Sequence, residues 1–211
     1  MLFRNRSDAG RFLAEKLRNY RRQRVVVLAL PPGGLPVGRA IADALGATLD
    51  VIVAREISAP RNKELAIGAV SAQGTRAIYQ EALRNLLLPP GYLASETEKQ
   101  REEAARIEAD LRGVVAQADL ADKVAIIVDD GIVTGMTVRA AIADVAARRP
   151  RRIVVAAPVI AAQSVEPLKG LAHEVVWLHM PPDMTAISAY YEDFSQVTQT
   201  EMKMLLTGQV R

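Results

Sequence analysis

Five short runs of this chain are apolar almost without interruption: VVVLAL at 25–30, TLDVIVA at 48–54, KVAIIVDD at 123–130, RRIVVAAPVI at 151–160 and HEVVWL at 173–178. A strand with one wet face alternates apolar and polar residues, so a continuous apolar run belongs to a strand covered on both faces. Helical patterns lie between most of these runs: 35–46, ending at Gly46 as a left-handed cap, then 136–147, then about 161–170. Strand and helix in alternation predict an α/β fold, a parallel central sheet with helices on both faces. An opening helix over about 8–20, capped by Ser7 or Asp8, presents Phe12, Leu13, Leu17 and Tyr20 on one side. With 211 residues, half of them hydrophobic, the chain can fill that core as a single domain over 1–211.

Two stretches break the alternation. Residues 55–64 are polar, carry Pro60 and Asn62, and read as a long loop, while 65–79 read as a hairpin turning near Gln73-Gly74. Residues 80–112 read as two helices split by Pro89-Pro90-Gly91, the second highly charged. Together they suggest an insertion or small helical hood subdomain at about 71–115, packed on one edge of the sheet. A second hood segment is expected at about 180–211.

Several chemistries are excluded. Without cysteine there are no disulfides, thiol nucleophiles or thiolate metal sites, which suits a reducing cytoplasm. His173 and His179, the only histidines, are six apart around a strand, which is not metal-ligand spacing. Twenty-seven basic against 24 acidic residues leave a net charge of +3, so bulk charge does not mark a nucleic-acid binder. The basic clusters RNYRRQR (18–24) and RRPRR (148–152) fall at helix-to-strand junctions and read as solvated helix ends, where cations suit the dipole. No apolar run reaches membrane-spanning length and MLFRNRSDAGRF has no apolar signal core, so a soluble cytoplasmic protein is expected.

The stretch VAIIVDDGIVTGMT, 124–137, carries the chemistry. An Asp-Gly bend with one capping threonine would suffice for an ordinary strand-to-helix turn. It leaves the second aspartate, the second threonine and Gly135 unexplained. A helix N-terminus preceded by small residues offers convergent N–H donors and a positive dipole end, which suits a phosphate. Asp129 and Asp130 just before it can accept hydrogen bonds from neighbouring sugar hydroxyls or offset the charge of Mg²⁺.

An apolar strand, Asp-Asp, three variable residues and Thr-Gly-x-Thr resembles the phosphoribosyl-pyrophosphate (PRPP) motif of the type I phosphoribosyltransferases. The resemblance implies that Asp129 and Asp130 hold the ribose hydroxyls. It implies that Gly131, Ile132, Val133, Thr134, Gly135, Met136 and Thr137 wrap the 5′-phosphate. LALPPGGLPVGRAIADALG, 28–46, resembles the family's first strand, pyrophosphate loop and first helix, which puts Pro32, Gly33 and Gly34 against the pyrophosphate. That loop often carries a cis peptide, which a proline makes less costly. Arg55 resembles the basic residue at the end of the second strand. For Arg61 and Lys63, a pyrophosphate-covering loop and plain solvated charge both remain open. SAPRNKELAIGAV (58–70) and YYEDFSQVTQTE (190–201) resemble signature stretches of a bacterial branch of the superfamily whose acceptor is poorly defined.

Three departures stand out: Pro32 where many relatives have arginine, Gly131 in place of an aliphatic, and Met136, large enough to crowd the phosphate loop. The resemblance implies a Mg²⁺-dependent transfer of the phosphoribosyl group from PRPP to a nitrogen acceptor of nucleobase type, with release of pyrophosphate. Mg²⁺ would be bound through substrate oxygens and water, with Asp129 and Asp130 as the nearest protein carboxylates. The alternative is a non-catalytic PRPP- or nucleotide-binding regulator. The family also implies a homodimer. Tyr190, Tyr191 and Phe194 read as hood packing ahead of base stacking, and Asp193 as a turn carboxylate.

Overall fold

The computed structural model describes residues 2–84, 86–184 and 186–209; Met1, Val210 and Arg211, the ends of the expected domain, lie outside the described residues. Helix α1 (Arg6–Lys16) starts two residues earlier than expected, because Asn5, not Ser7 or Asp8, is its cap. Asn5 is extended and its side-chain oxygen accepts from Asp8 N–H, leaving Asp8 in the first turn where it suits the dipole. Strand β1 (Val25–Ala29) and helix α2 (Gly34–Leu45) follow, with Gly46 at φ 66° as the left-handed cap.

Strand β2 (Thr48–Val51) is shorter than the apolar run suggests. Ile52 N–H still reaches Ala29, but Val53 C=O accepts from Ala72 N–H, so the chain leaves the first sheet here. It enters a second, antiparallel sheet of β3 (Ala54–Ala59), β4 (Asn62–Ser71) and β5 (Arg76–Ile78). The loop expected over 55–64 is therefore a hairpin turning at Pro60-Arg61. Ile57 and Ala59 are buried while Glu56 and Pro60 are exposed, a period of two inside a polar-looking stretch. Helices α3 (Gln80–Arg84) and α4 (Tyr92–Arg112) separate at Pro89-Pro90-Gly91. The α4 helix lies on β3 and β4, and Tyr92 Oη donates to Ser58 C=O at 2.9 Å. Its far end is clamped to the edge strand β2: Arg112 pairs with Asp50, which is fully buried and also accepts from Ala118 N–H at 2.8 Å.

The chain then completes the first sheet with β6 (Val124–Val128), α5 (Met136–Ala147), β7 (Arg152–Val159), α6 (Ala162–Lys169) and β8 (Glu174–His179). All five strands are parallel, in the order β2-β1-β6-β7-β8. Val27, Ile126 and Val154 pack toward α1 and α2, whereas Val26, Leu28, Ile127 and Val155 pack toward α5 and α6. Helices thus cover both faces, as continuous apolar strands require. Each fully buried aliphatic side chain contributes about 1.5–3 kcal/mol of transfer free energy, which makes this double core the main support of the sheet. A last helix, α7 (Gln199–Thr207), starts at a Thr198–Glu201 capping box and adds Leu205 and Leu206 to the α1/α2 side. Among the described residues no helix is long and apolar enough to cross a membrane.

Candidate functional site

At the end of β6 the chain turns through 129–135 into α5, and internal bonds fix this turn. Ile132 is buried and bridges to Ile160; its N–H reaches Val159 C=O at 2.9 Å. Ser164 Oγ donates to Val133 C=O at 2.6 Å. Gly135 sits at φ 69° as the cap of α5, a backbone state that a side chain would strain. The first-turn N–H groups of α5 have no partner within the helix and bring its positive end to the turn. Around it lies a cup of about 120 Å³ lined by Asp129, Gly131, Ile132, Val133, Thr134, Gly135 and Thr137, with Glu56 and Ile187 at its sides. Its lining by the backbone of a glycine-containing turn at a helix N-terminus suits an anionic group.

Met136 does not crowd this cup. Its side chain is buried the other way, among Ala69, Ala140, Ala54 and Ala77, where it welds α5 to the second sheet. Gly131 follows from a neighbour: a Cβ there would stand 2.6 Å from Ile187 Cγ2, so the 187–190 turn occupies the space an aliphatic would need.

The two aspartates have separate fates. Asp130 turns inward, and Arg6 Nε donates to its Oδ2 at 2.6 Å, with the two side chains only 11% and 9% exposed. Arg6 also donates to Ser195 C=O at 2.8 Å and lies 3.7 Å over the Phe194 ring. Tyr191 Oη donates to the Asp130 carbonyl at 2.6 Å. Asp129 faces the cup. Burial pushes its carboxyl well above the usual carboxylate range, and the Asp130 charge adds to that. Among the described residues no cation pairs with Asp129; its Oδ1 accepts from Asp130 N–H at 2.9 Å.

Pro31-Pro32 is a cis peptide. Gly33 and Gly34 follow it into α2, and their role here is close approach. A Cβ on Gly33 would overlap Asp130 Oδ2, and one on Gly34 would lie 2.5 Å from Val128 C=O. Pro32 instead opens onto a cavity of about 740 Å³ that it shares with Pro31 and Arg55. Glu103, Arg106 and Asp110 of α4 and the 196–199 segment close it. Arg55 stands near the start of β3, not at the end of the second strand, and its Nε donates to Gln100 Oε1 at 2.8 Å. The next residue, Glu56, lies beside the cup. Desolvation raises its carboxyl although its surface remains partly accessible, and the Thr134 hydroxyl pulls the other way. Consecutive strand residues point to opposite sides, so Arg55 lines the larger cavity while Glu56 lines the cup, and the two share no lining residue.

Sequence reasoning thus groups Asp129 with 131–135 and Thr137, and Pro32 with Arg55, but misses Arg6, Glu56 and Ile187. Nothing local singles out Arg6; the unusual Gly131 is the sign that could have led to Ile187. Arg61 lies exposed at the hairpin tip, and Lys63 is exposed beside it. The aromatics pack as a hood: Tyr191 stacks between Phe3 and Phe194, at 5.5 and 5.2 Å. Asp193 accepts from Ser195 N–H in a turn, and His173 Nδ1 accepts from Ile153 N–H.

A model of the phosphoribosyl transferase domain matches residues 2–185 of the chain. The crystal structure of TT1426 from Thermus thermophilus superposes with a TM-score of 0.82 at 39% identity, over 99% of both chains. A Mycobacterium tuberculosis H37Rv protein named "Putative phosphoribosyl transferase Rv0571c" is 36% identical over 205 residues, 97% of this chain and 46% of that one. The chain therefore spans about half the length of the curated relatives it matches.

Proposed function

The chain belongs to the phosphoribosyl transferase domain family, and from that premise we propose that it transfers a phosphoribosyl group from PRPP to a nitrogen acceptor of nucleobase type. The observation that carries this reading is the backbone-lined cup at the N-terminus of α5 with Asp129 on its wall. The 5′-phosphate is held by the 131–137 turn and the first turn of the helix. Asp129 accepts from a ribose hydroxyl. The pyrophosphate lies toward Pro32 and Arg55, whose guanidinium offsets its charge. Transfer breaks the bond from C1 to pyrophosphate, which leaves with the electron pair, and the acceptor nitrogen supplies the pair for the new bond. The transition state has oxocarbenium character, so positioning and charge stabilisation do the catalytic work.

The donor set fits a Mg²⁺ ion that takes most of its ligands from substrate and water. No three acidic or histidine side chains among the described residues converge into a cage, while Asp129 and Glu56 bring two carboxyl groups without a cation partner among the described residues to the cup. When bound, the ion would neutralise pyrophosphate oxygens, with Asp129 as its nearest protein carboxylate.

Calorimetric titration of PRPP with Mg²⁺ tests this. Asp129→Asn removes a charge-assisted hydrogen bond worth about 1.5–3 kcal/mol, which weakens binding by roughly 10- to 100-fold. Equal affinity in wild type and variant would sink the role of Asp129. The engagement of Asp130 by Arg6 favours a second reading, a regulator that binds PRPP or a nucleotide without turnover. Pyrophosphate release across a panel of purines, pyrimidines and nicotinate separates the two: tight binding without release supports the regulator.

A further inference from the structure

The fold gathers cations at the opposite edge of the sheet. Strand register pairs Val25 with Val124 and Val124 with Arg152, so the residues just before them, Arg24, Lys123 and Arg151, form a row across three strand starts. Adjacent strands are about 4.8 Å apart. Arg151 Nη2 donates to Gln23 Oε1 at 2.7 Å, which ties the 18–24 segment directly to 148–152, more than a hundred residues away. Lys16, Arg18, Arg21 and Arg22 extend the row on one side, all exposed, and Arg148 and Arg149 on the other.

Among the acids that stand against them are Asp119, Asp122, Glu174 and the buried Asp144, whose charge faces Arg148. Asp119 pairs with Lys123 and Glu174 with Arg152. Among the described residues the other cations of this edge are in no ion pair. A concavity of about 480 Å³ opens within the patch between Lys16, Asn19 and Gln23 on one wall and Arg151 and Arg152 on the other. The overall charge of +3 conceals this edge, because most of the acids lie elsewhere.

We infer that the N-terminal edge of the sheet is a docking surface for the phosphodiester backbone of a nucleic acid. Arginine predominates, and its planar fork matches phosphate oxygens two at a time, which favours phosphates over the carboxylates of an acidic protein. Tyr20, the one aromatic in the concavity, is buried and its hydroxyl donates to Glu174. No ring is therefore available there for base stacking, and recognition is of backbone charge and independent of sequence. The surface lies at the far end of the strands from the phosphate cup, so binding leaves the cup accessible.

Fluorescence anisotropy of the full chain tests this, with a labelled single-stranded RNA and a DNA duplex of about 20 nucleotides or base pairs, between about 50 and 200 mM salt. With about four phosphates engaged, affinity for the single strand falls about 50-fold over that range. Combining R22E, R24E, R149E and R151E lowers affinity at the lower salt at least ~10-fold and flattens the salt dependence. PRPP titration and thermal unfolding stay as in wild type. R22Q with R149Q serves if the charge reversals do not fold, and reduces the salt slope by about 0.7 for each cation lost. Absence of binding at low salt, unchanged binding in folded variants, or binding only to vesicles of anionic lipid overturns the inference.

Discussion

The two edges of one sheet hold charge in opposite ways. At the C-terminal edge Asp129, Asp130 and Glu56 crowd together, and Asp130 with Arg6 is almost closed off from solvent. At the N-terminal edge the arginines stand in water. In bulk water a pair of unit charges 4 Å apart interacts by about 1 kcal/mol, and salt weakens that further; away from solvent the same pair interacts several times more strongly. One edge can therefore shift the proton affinity of its groups and discriminate between ligands. The other can attract a polyanion but cannot select finely. The difference lies in what covers each edge: the hood segment, the 187–190 turn and β3 shelter the first, and nothing comparable among the described residues shelters the second.

Breaking the Arg6–Asp130 pair should have the largest effect. Asp130→Ala strands a buried guanidinium and should cost about 3–5 kcal/mol in urea unfolding. Arg6→Met with Asp130→Ala should recover part of that loss, because no charge is then left unpaired. A loss below about 1 kcal/mol in the single variant would mean the pair is effectively solvated. Next comes Asp129→Asn, whose effect should appear in PRPP affinity and hardly at all in apo stability at low pH.

The acid limb sharpens the contrast. Asp129 has its carboxyl raised in the folded state, so the folded protein holds a proton that the unfolded chain has released. Its contribution is fully present below the unfolded value near 3.8 and is lost as pH rises through the folded value. Apo stability should fall over that window by at most about 1.4 kcal/mol per pH unit for one proton. PRPP affinity should rise over the same window as Asp129 becomes a better acceptor. Urea titrations from pH 4 upward, with Asp129→Asn as the reference that keeps the contributions of Glu56 and Asp144, check the sign of the difference. The smallest effect belongs to the other edge: Arg22→Ala should change stability by no more than about 0.5 kcal/mol.

The central sheet was legible because burial on both faces leaves no choice but continuous apolar sequence. The cup was legible because two aspartates and two threonines exceed what a turn needs. The hairpin of β3 and β4 was not, since Ser58, Pro60, Arg61 and Asn62 mask the burial of Ile57 and Ala59. The start of α7 was written plainly in Thr198 and Glu201 but lay in a stretch read only as hood. Arg6 had no local signal at all, because its partners are 124 and 189 residues away.

Those separations bear on how the molecule is assembled. The five strands are complete once residue 179 is in place, while the carbonyl that seats Arg6 belongs to residue 195. Closing so long a loop is entropically costly and is repaid only after the sheet has brought both ends near each other. A nascent chain can thus possess all five strands before the buried Arg6–Asp130 pair has gained its contact with residue 195.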